Sequence, residues 1–167
     1  MILWGNMQMI FNQHKTPNTE HQLILGNVYY ELRKQLEMKH VSIFAPYTVY
    51  LRKVDGRFGH AKPQPDLSVV VSDHNIVREN CIVGAPDIIV EVLSHSNMEK
   101  DLVSNVSLYE KNGVKEYWIL DQFKNKVYVY KLSEGGQYIK SEDSFIIKSE
   151  LLQLELNLDK LFKGSVK

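Results

Sequence analysis

The chain of 167 residues lacks most of the features that mark specialised classes of protein. It has one cysteine, Cys81, which permits no internal disulfide and no zinc cluster built from cysteines. No apolar run approaches the ~20 residues that a membrane-spanning helix needs. Residues 1–11 carry no positive charge and are interrupted by Asn6 and Gln8, which is not the pattern of a secretory signal. These absences predict a cytoplasmic protein without a membrane partner.

An excess of charge of either sign is also missing. Lys and Arg together number 20, as do Asp and Glu, so the formal net charge is zero. This balance excludes a polybasic nucleic-acid coat or a charge-based membrane anchor as the dominant design. It does not exclude a local basic groove, because net charge describes the whole surface. The content of 44% apolar and 24% charged residues is typical of one compact domain over residues 1–167.

Several common catalytic motifs are absent as well. The sequence contains neither a GxxxxGK[ST] nor a GxGxxG phosphate loop. Its six histidines show no HxH or HxxxH spacing, so a histidine metal site would need distant segments. The glycines of a nucleophile elbow do not flank Ser94 or Ser96. Any chemistry must therefore come from side chains that the fold brings together.

The apolar pattern predicts a mixed α/β order of elements. Thr19 and Gln22 have the spacing of a capping box, which predicts a helix over residues 21–39. The apolar stripe of that helix would consist of Leu25, Tyr29, Leu32 and Leu36. Strands are predicted over 47–52, 66–71 and 87–94, a second helix over 101–112, and a hairpin over 116–120 and 126–132. Further strand segments are predicted in an extension, residues 133–162, beyond a core of about 19–132.

The predicted strand 87–94 carries acidic residues in an otherwise apolar segment. Side chains alternate between the two faces of a strand, so Ile88, Val90 and Val92 share one face. Asp87 and Glu91 lie on the other face. A glutamate in mid-strand is costly to bury unless it is paired, protonated or bound to a cation. Glu91 is therefore a candidate functional residue.

The preceding predicted strand offers a partner for Glu91. If the two strands are neighbours, Asp66 and Glu91 converge on one face, in the oxygen-rich environment that Mg²⁺ prefers. Asp87 is four residues from Glu91, about 13 Å along a strand, and is a poor partner for the same ion. Other roles stay open: Glu91 could pair with a basic residue or face solvent. Asp66 and Asp87 each follow a proline and could organise turns.

Aromatic residues in the predicted hairpin also allow two interpretations. Tyr117, Trp118, Tyr128 and Tyr130 alternate between faces. They could stack on nucleic-acid bases, as aromatic side chains do in single-strand binding proteins. Packing in a core or a dimer interface is the interpretation that the pattern favours.

A series of short motifs resembles the Uma-type family of restriction endonucleases. The motifs are Pro65-Asp66-Leu67, Gly84-Ala85-Pro86-Asp87-Ile88-Ile89-Val90-Glu91-Val92-Leu93-Ser94, Asp101, Tyr109, Gly113-Val114-Lys115-Glu116-Tyr117-Trp118-Ile119-Leu120-Asp121 and the leucine-rich tail 149–162. The resemblance spans roughly residues 16–162. It implies a restriction-endonuclease-like fold of the PD-(D/E)XK class, with a central mixed β-sheet flanked by helices and extra C-terminal strands.

The resemblance also implies a set of site residues. Asp66 and Glu91 match the two carboxylates that hold Mg²⁺, for which Mn²⁺ can substitute, and Asp87 would be a nearby electrostatic or structural residue. The lysine of the class pattern is replaced: Leu93 stands two residues after Glu91, and Asn105 stands where this family places lysine on the next helix. Asparagine can hydrogen-bond but carries no charge.

The family resemblance also suggests two further candidate site residues. Lys100, at the start of the second helix, is a candidate substitute for the missing lysine, and a plain surface charge is the alternative. His21 matches a histidine of the family's first helix and could approach the site, although it could equally be a helix-start residue.

Two functions follow from these residues. The first is a Mg²⁺-dependent endonuclease that hydrolyses phosphodiester bonds of DNA and acts as a homodimer. Asn105 in the lysine position would impair that activity. The alternative is a catalytically inactive module that keeps the nuclease fold and binds nucleic acid or protein. The separation of the Asp66 and Glu91 carboxylates distinguishes them, since carboxylates too far apart for a shared ion would exclude the nuclease.

Overall fold

A central mixed β-sheet organises the protein in the computed structural model. The structure describes residues 18–36, 42–53, 60–71, 74–94 and 100–164, with the side chains of residues 100–103 outside the description. The helices are α1 (Thr19–Gln35), α2 (Lys100–Asn112) and α3 (Leu158–Leu161), and a 3₁₀ turn covers His74–Ile76. The strands are β1 (Ser42–Phe44), β2 (Val49–Arg52), β3 (His60–Ala61), β4 (Leu67–Val70), β5 (Ile82–Val83), β6 (Ile88–Val92), β7 (Glu116–Asp121), β8 (Lys126–Leu132), β9 (Tyr138–Asp143), β10 (Ile146–Ser149) and β11 (Leu154–Asn157).

The described strands of the central sheet follow the order β1-β4-β6-β7-β8-β9. β6 and β7 are parallel, joined by a crossover through α2, and the other neighbours in this sheet are antiparallel. A small sheet, β3-β2-β5, and the hairpin β10–β11 complete the strands. This confirms the mixed α/β fold that the sequence predicts.

The two faces of the central sheet are covered by different elements. Ile88 and Val90 of β6 lie in a core shared with α1, β10, β11 and α3. Ile89 lies in a second core, which includes Tyr109 of α2 and Val49 of β2. The alternation along β6 therefore buries both faces of the strand, as expected of a strand in the middle of a sheet.

Helix α1 differs from its prediction in its cap and in its buried face. The Asn18 side chain, not Thr19, accepts a hydrogen bond from the His21 N–H at 2.7 Å and caps the helix. Ile24 and Val28 are buried, whereas Tyr29 is 39% exposed. Two stripes have helical spacing in this segment, one over residues 24, 28, 32 and 36 and the other over residues 25, 29, 32 and 36. The sequence pattern does not distinguish them, and tertiary packing determines that the first stripe is buried.

The remaining predicted helix and strands are present, and several short strands were missed. β2, β4 and β6 are shorter than predicted, α2 and β7 are each one residue longer, and β8 has the predicted bounds. β7 and β8 pair as the predicted hairpin, with Trp118 opposite Val129. β1, β3 and β5 have two or three residues each, too few for alternation to be visible in a sequence. No helix in the described part of the chain is long and apolar enough to cross a membrane.

Candidate active site

The Glu91 side chain on β6 is held by two tyrosine hydroxyl groups. The Tyr109 hydroxyl donates to Glu91 Oε1 at 2.8 Å, and the Tyr117 hydroxyl donates to Oε2 at 2.8 Å. The Asn105 amide nitrogen lies 3.5 and 3.4 Å from these two oxygens. Burial raises the pKa of Glu91, and the hydroxyl groups oppose that rise because they stabilise the carboxylate.

The crossover from β6 through α2 to β7 supplies all of these donors. Asn105 and Tyr109 are four residues apart and so lie on one face of α2. Tyr117 lies on β7 opposite Ile89, whose side chain shares the sheet face of Glu91. The Tyr109 and Tyr117 rings meet edge to face, with centroids 4.8 Å apart. Packing of these rings aims both hydroxyl groups at Glu91.

Asp66 directly precedes β4, the strand that neighbours β6. β4 and β6 are antiparallel with Leu67 opposite Val90, so the same register places Asp66 opposite Glu91. Asp66 Oδ2 accepts a hydrogen bond from the Val92 backbone N–H at 2.8 Å. The negative charge of Asp66 contributes to the raised pKa of Glu91. The structure thus brings together the two carboxylates that the sequence analysis pairs.

His21 of α1 approaches Asp66 from the side opposite to α2. Its Nε2 atom lies 3.0 Å from Asp66 Oδ2, and its side chain is 6% exposed, compared with 24% for Asp66. Within the described residues, His21 Nδ1 is buried without a hydrogen-bond partner. Nε2 is therefore the nitrogen that donates to the carboxylate. His21 and the Val92 N–H together fix the orientation of Asp66.

Asp87 makes its contacts away from Glu91, and the side chain of Lys100 lies outside the described residues. Asp87 Oδ2 accepts from the Val71 N–H at 2.7 Å, and its Oδ1 lies 2.7 Å from Lys115 Nζ. These contacts tie the start of β6 to the end of β4 and to the β7 entry, which is a structural role. Lys100 begins α2, but its side chain lies outside the described residues.

The donor set fits a hard divalent cation that keeps part of its hydration. Within the described ranges, no three His, Cys, Asp or Glu residues cluster as a metal site. Mg²⁺ does not require such a cage, because it usually binds one or two carboxylates together with waters and substrate phosphates. Asp66 and Glu91 supply two carboxylates opposite each other. Burial is the main cause of the raised pKa of Glu91 and the charge of Asp66 adds to it, so a bound cation would favour the ionised form of Glu91.

Tyr109 and Tyr117 are the site residues that pattern analysis did not assign. The sequence indicates Tyr109 only weakly as a site residue, because it lies one helical turn after Asn105. Tyr117 could be found only once β6 and β7 were known to be neighbours. Its ring and that of Trp118 are fully buried, which confirms core packing for these two aromatic residues.

Comparison with known proteins places this arrangement in a class. The fold is that of a nuclease-like protein: it matches a crystal structure described as a putative nuclease of DUF820 from Anabaena variabilis, with a TM-score of 0.73. That match has 19% sequence identity and covers 90% of this chain and 84% of the other. The model of the Uma2 family, described as "Putative restriction endonuclease", matches residues 10–160, and the chain belongs to this family. No curated protein matches the sequence. Family membership supports a nuclease activity.

Proposed function

We propose that this protein is a cytoplasmic, metal-dependent endonuclease that hydrolyses phosphodiester bonds of DNA. Asp66 and Glu91 would hold Mg²⁺ or Mn²⁺. The observation that carries the proposal is the register of β4 and β6, which sets Asp66 opposite Glu91, close enough for the charge of Asp66 to contribute to the raised pKa of Glu91. Membership in a family described as restriction endonucleases supplies the reaction class.

The chain's own residues would prepare this site before substrate arrives. A divalent cation, when bound, neutralises phosphate charge and lowers the pKa of an attacking water. Tyr109 and Tyr117 hold Glu91 in one orientation, and His21 does the same for Asp66. Such fixed ligands need little rearrangement on binding, which favours both affinity and catalysis. Asn105 could donate a hydrogen bond to a phosphate oxygen but brings no charge.

Conservative substitutions of the two carboxylates test the proposal. Asp66→Asn and Glu91→Gln retain size and some hydrogen-bonding capacity but remove the negative charges, so we expect metal-dependent cleavage of plasmid DNA to fall about 100-fold or more. Glu155→Gln is the matched control, since Glu155 is 57% exposed on β11. Circular dichroism would verify folding. Cleavage that persists at the original rate in both site variants would overturn the proposal.

A second candidate function is an inactive nuclease-fold module that binds nucleic acid or protein. Asn105 favours it, because the residue beside Glu91 is neutral where a lysine is expected. Calorimetric titration with Mg²⁺ and Mn²⁺ separates the two functions. Metal binding that is lost in Glu91→Gln supports the nuclease, whereas a wild-type protein that neither binds metal nor cleaves DNA supports the module.

A further inference from the structure

A basic cleft lies at the C-terminal end of α2. It has a volume of about 400 Å³ and is lined by β2, β3, the segment before β6 and the last residues of α2. Arg52 and Lys111 line it, both with exposed side chains, together with the exposed His60. None of the described residues that line this cleft is acidic. A neutral chain thus carries a local concentration of positive charge.

The cleft is held in shape by Asn112. Its Oδ1 accepts from the Arg52 backbone N–H at 2.8 Å, and its Nδ2 donates to the Arg52 carbonyl at 2.9 Å. Nδ2 also donates to the Leu108 carbonyl within α2 at 2.9 Å. These bonds join β2 to α2 through the Arg52 backbone, so the Arg52 side chain is not needed for them. The cations of the two elements are thereby presented on the same side.

Tyr50 adds an aromatic surface to the same cleft. Lys62 Nζ lies 5.1 Å from the centroid of the Tyr50 ring, and the His60 ring meets it edge-on at 6.2 Å. Within the described part of the chain, neither Arg52 nor Lys111 has a carboxylate within 4.0 Å. These charges are available to an external anion, in contrast to Lys148, which pairs with Glu155.

We propose that this cleft binds the phosphate backbone of a nucleic acid, an inference that rests on the proposed nuclease function. A basic groove combined with an aromatic ring suits a polyanion that carries bases. Asn105 beside Glu91 and Asn112 at the cleft are seven residues apart on α2, about 10 Å at 1.5 Å per residue. One strand of nucleic acid covers that length in about three nucleotides at ~3.4 Å each. A strand positioned for cleavage at Glu91 can therefore reach the cleft.

Salt-dependent binding tests this inference without requiring cleavage. The double variant Arg52→Gln/Lys111→Gln removes two cleft charges, and the control Arg33→Gln/Lys34→Gln removes one arginine and one lysine from the exposed surface of α1. Binding of a fluorescent DNA oligonucleotide is measured by anisotropy in EDTA between about 50 and 200 mM salt. We expect the cleft variant to bind roughly tenfold more weakly, with a slope of log K against log salt smaller by about 1.4 to 1.8.

Each outcome bears on the cleft separately from the nuclease. Three results would overturn the proposal that the cleft binds nucleic acid. They are equal affinity and salt slope in the cleft variant and wild type, the same loss of affinity in the control variant, and a wild-type protein that does not bind DNA. Competition by tripolyphosphate as strong as by the oligonucleotide would also overturn it, since that marks a small-anion site. If binding in EDTA depends on the cleft but the protein does not cleave plasmid DNA in a separate assay with Mg²⁺ or Mn²⁺, the cleft is supported and only the nuclease is refuted. Lys62→Gln is a second variant should the double variant not fold.

Discussion

Asn105 stands at the position where the family resemblance predicts a lysine. Its amide lies beside both Glu91 oxygens, so a longer side chain at this position would reach the same carboxylate. A lysine there would place an ammonium group next to the proposed metal and the substrate phosphate. The neutral amide therefore limits the electrostatic stabilisation that the site can offer.

Asn105→Lys should consequently raise cleavage. We expect metal-dependent nicking of plasmid DNA to increase roughly tenfold or more. A fixed positive charge stabilises the negative charge that develops on the phosphate in the transition state, and such stabilisation contributes on this scale. Ser104→Lys adds the same charge to the adjacent exposed position of α2 and serves as the control. An equal gain in both variants, or no gain at position 105, would contradict a specific role for this residue.

Glu116 is another buried carboxylate, on the opposite face of β7 from Tyr117. The Trp118 indole N–H donates to its Oε2 at 2.8 Å, and the Ser149 hydroxyl donates to its Oε1 at 3.0 Å. Ser149 in turn accepts from the Leu152 N–H at 3.1 Å. This network joins the central sheet to the end of β10 and is a structural feature separate from the candidate active site.

The stability contribution of Glu116 should depend on pH. Burial raises its pKa above the ordinary value of 4.5, so the folded state holds this proton more tightly than the unfolded state does. The contribution is present below pH 4.5 and is lost as pH rises through the folded-state pKa. The free energy of unfolding of wild type, minus that of Glu116→Gln, should therefore fall from pH 4.5 towards neutral pH in urea titrations. A difference that stays constant or grows would contradict this account.

At the scale of single residues, alternation along two strands indicated that Asp66 and Glu91 could lie near each other, and the register of β4 and β6 agrees with this. Their assignment as metal ligands came from the family resemblance and stays a prediction. Asp66 and Glu91 are conspicuous because each is acidic in an apolar strand segment. The tyrosine donors could not be predicted with them, because their place depends on which strands are neighbours. His21 was suggested by family resemblance alone, and only the structure shows its contact with Asp66.

At the scale of elements, the C-terminal extension is part of the core that packs against α1. Leu158 and Leu161 of α3 are buried in that core. The Asn27 side chain of α1 donates to the Leu161 carbonyl at 2.9 Å and to the Lys163 carbonyl at 3.0 Å. These bonds satisfy carbonyl groups at the end of a short helix, so α1 and α3 stabilise each other.

Truncation of Leu161 should therefore destabilise the whole protein. Leu161 is fully buried, and Leu161→Ala should lower the free energy of unfolding by about 2 to 5 kcal/mol, through lost burial and the cavity that remains. Lys160→Ala, at an exposed position of the same helix, should change it by less than about 0.5 kcal/mol. Urea titration measures both, and similar effects at the two positions would show that α3 is not part of the cooperative core.

The order of the elements was easier to predict from the sequence than their lateral arrangement. The long strands and α2 have periodic apolar residues and clear turn signals at their ends, and the structure contains them. Val49 of β2 pairs with Ile82 of β5, 33 residues further along the chain, and nothing local in either segment indicates that contact. Pairing between distant short strands is decided by tertiary packing, which is invisible to local patterns.

For the molecule as a whole, the two cores share the strands of one sheet. Val90 faces one core and Ile89 the other, although they are adjacent residues of β6. Loss of either core would expose one face of the same strands. We therefore expect one cooperative unfolding transition, with midpoints that coincide in far-UV and near-UV circular dichroism. Two separated transitions would show that the halves are independent and would also refute the prediction of a single domain.

Homodimer formation stays a prediction. Ile139 and Phe145, at and after the edge strand β9, are 65% and 76% exposed, which provides apolar surface for a second copy. Sedimentation velocity at micromolar concentration would measure the association state. A monomer across that range would contradict the prediction.

The register between β4 and β6 has a consequence for how the chain tolerates changes in length. Residues 74–80 lie in the connection between these strands, outside the ladder in which Leu67 pairs with Val90, so a change of length there does not alter the alternation of side chains within either strand. Deletion of a single residue within β4 would reverse which face each preceding side chain occupies, because side chains alternate with a period of two. Asp66 would then lose its position opposite Glu91. The position of Asp66 opposite Glu91 therefore depends on the lengths of β4 and β6, which have four and five residues.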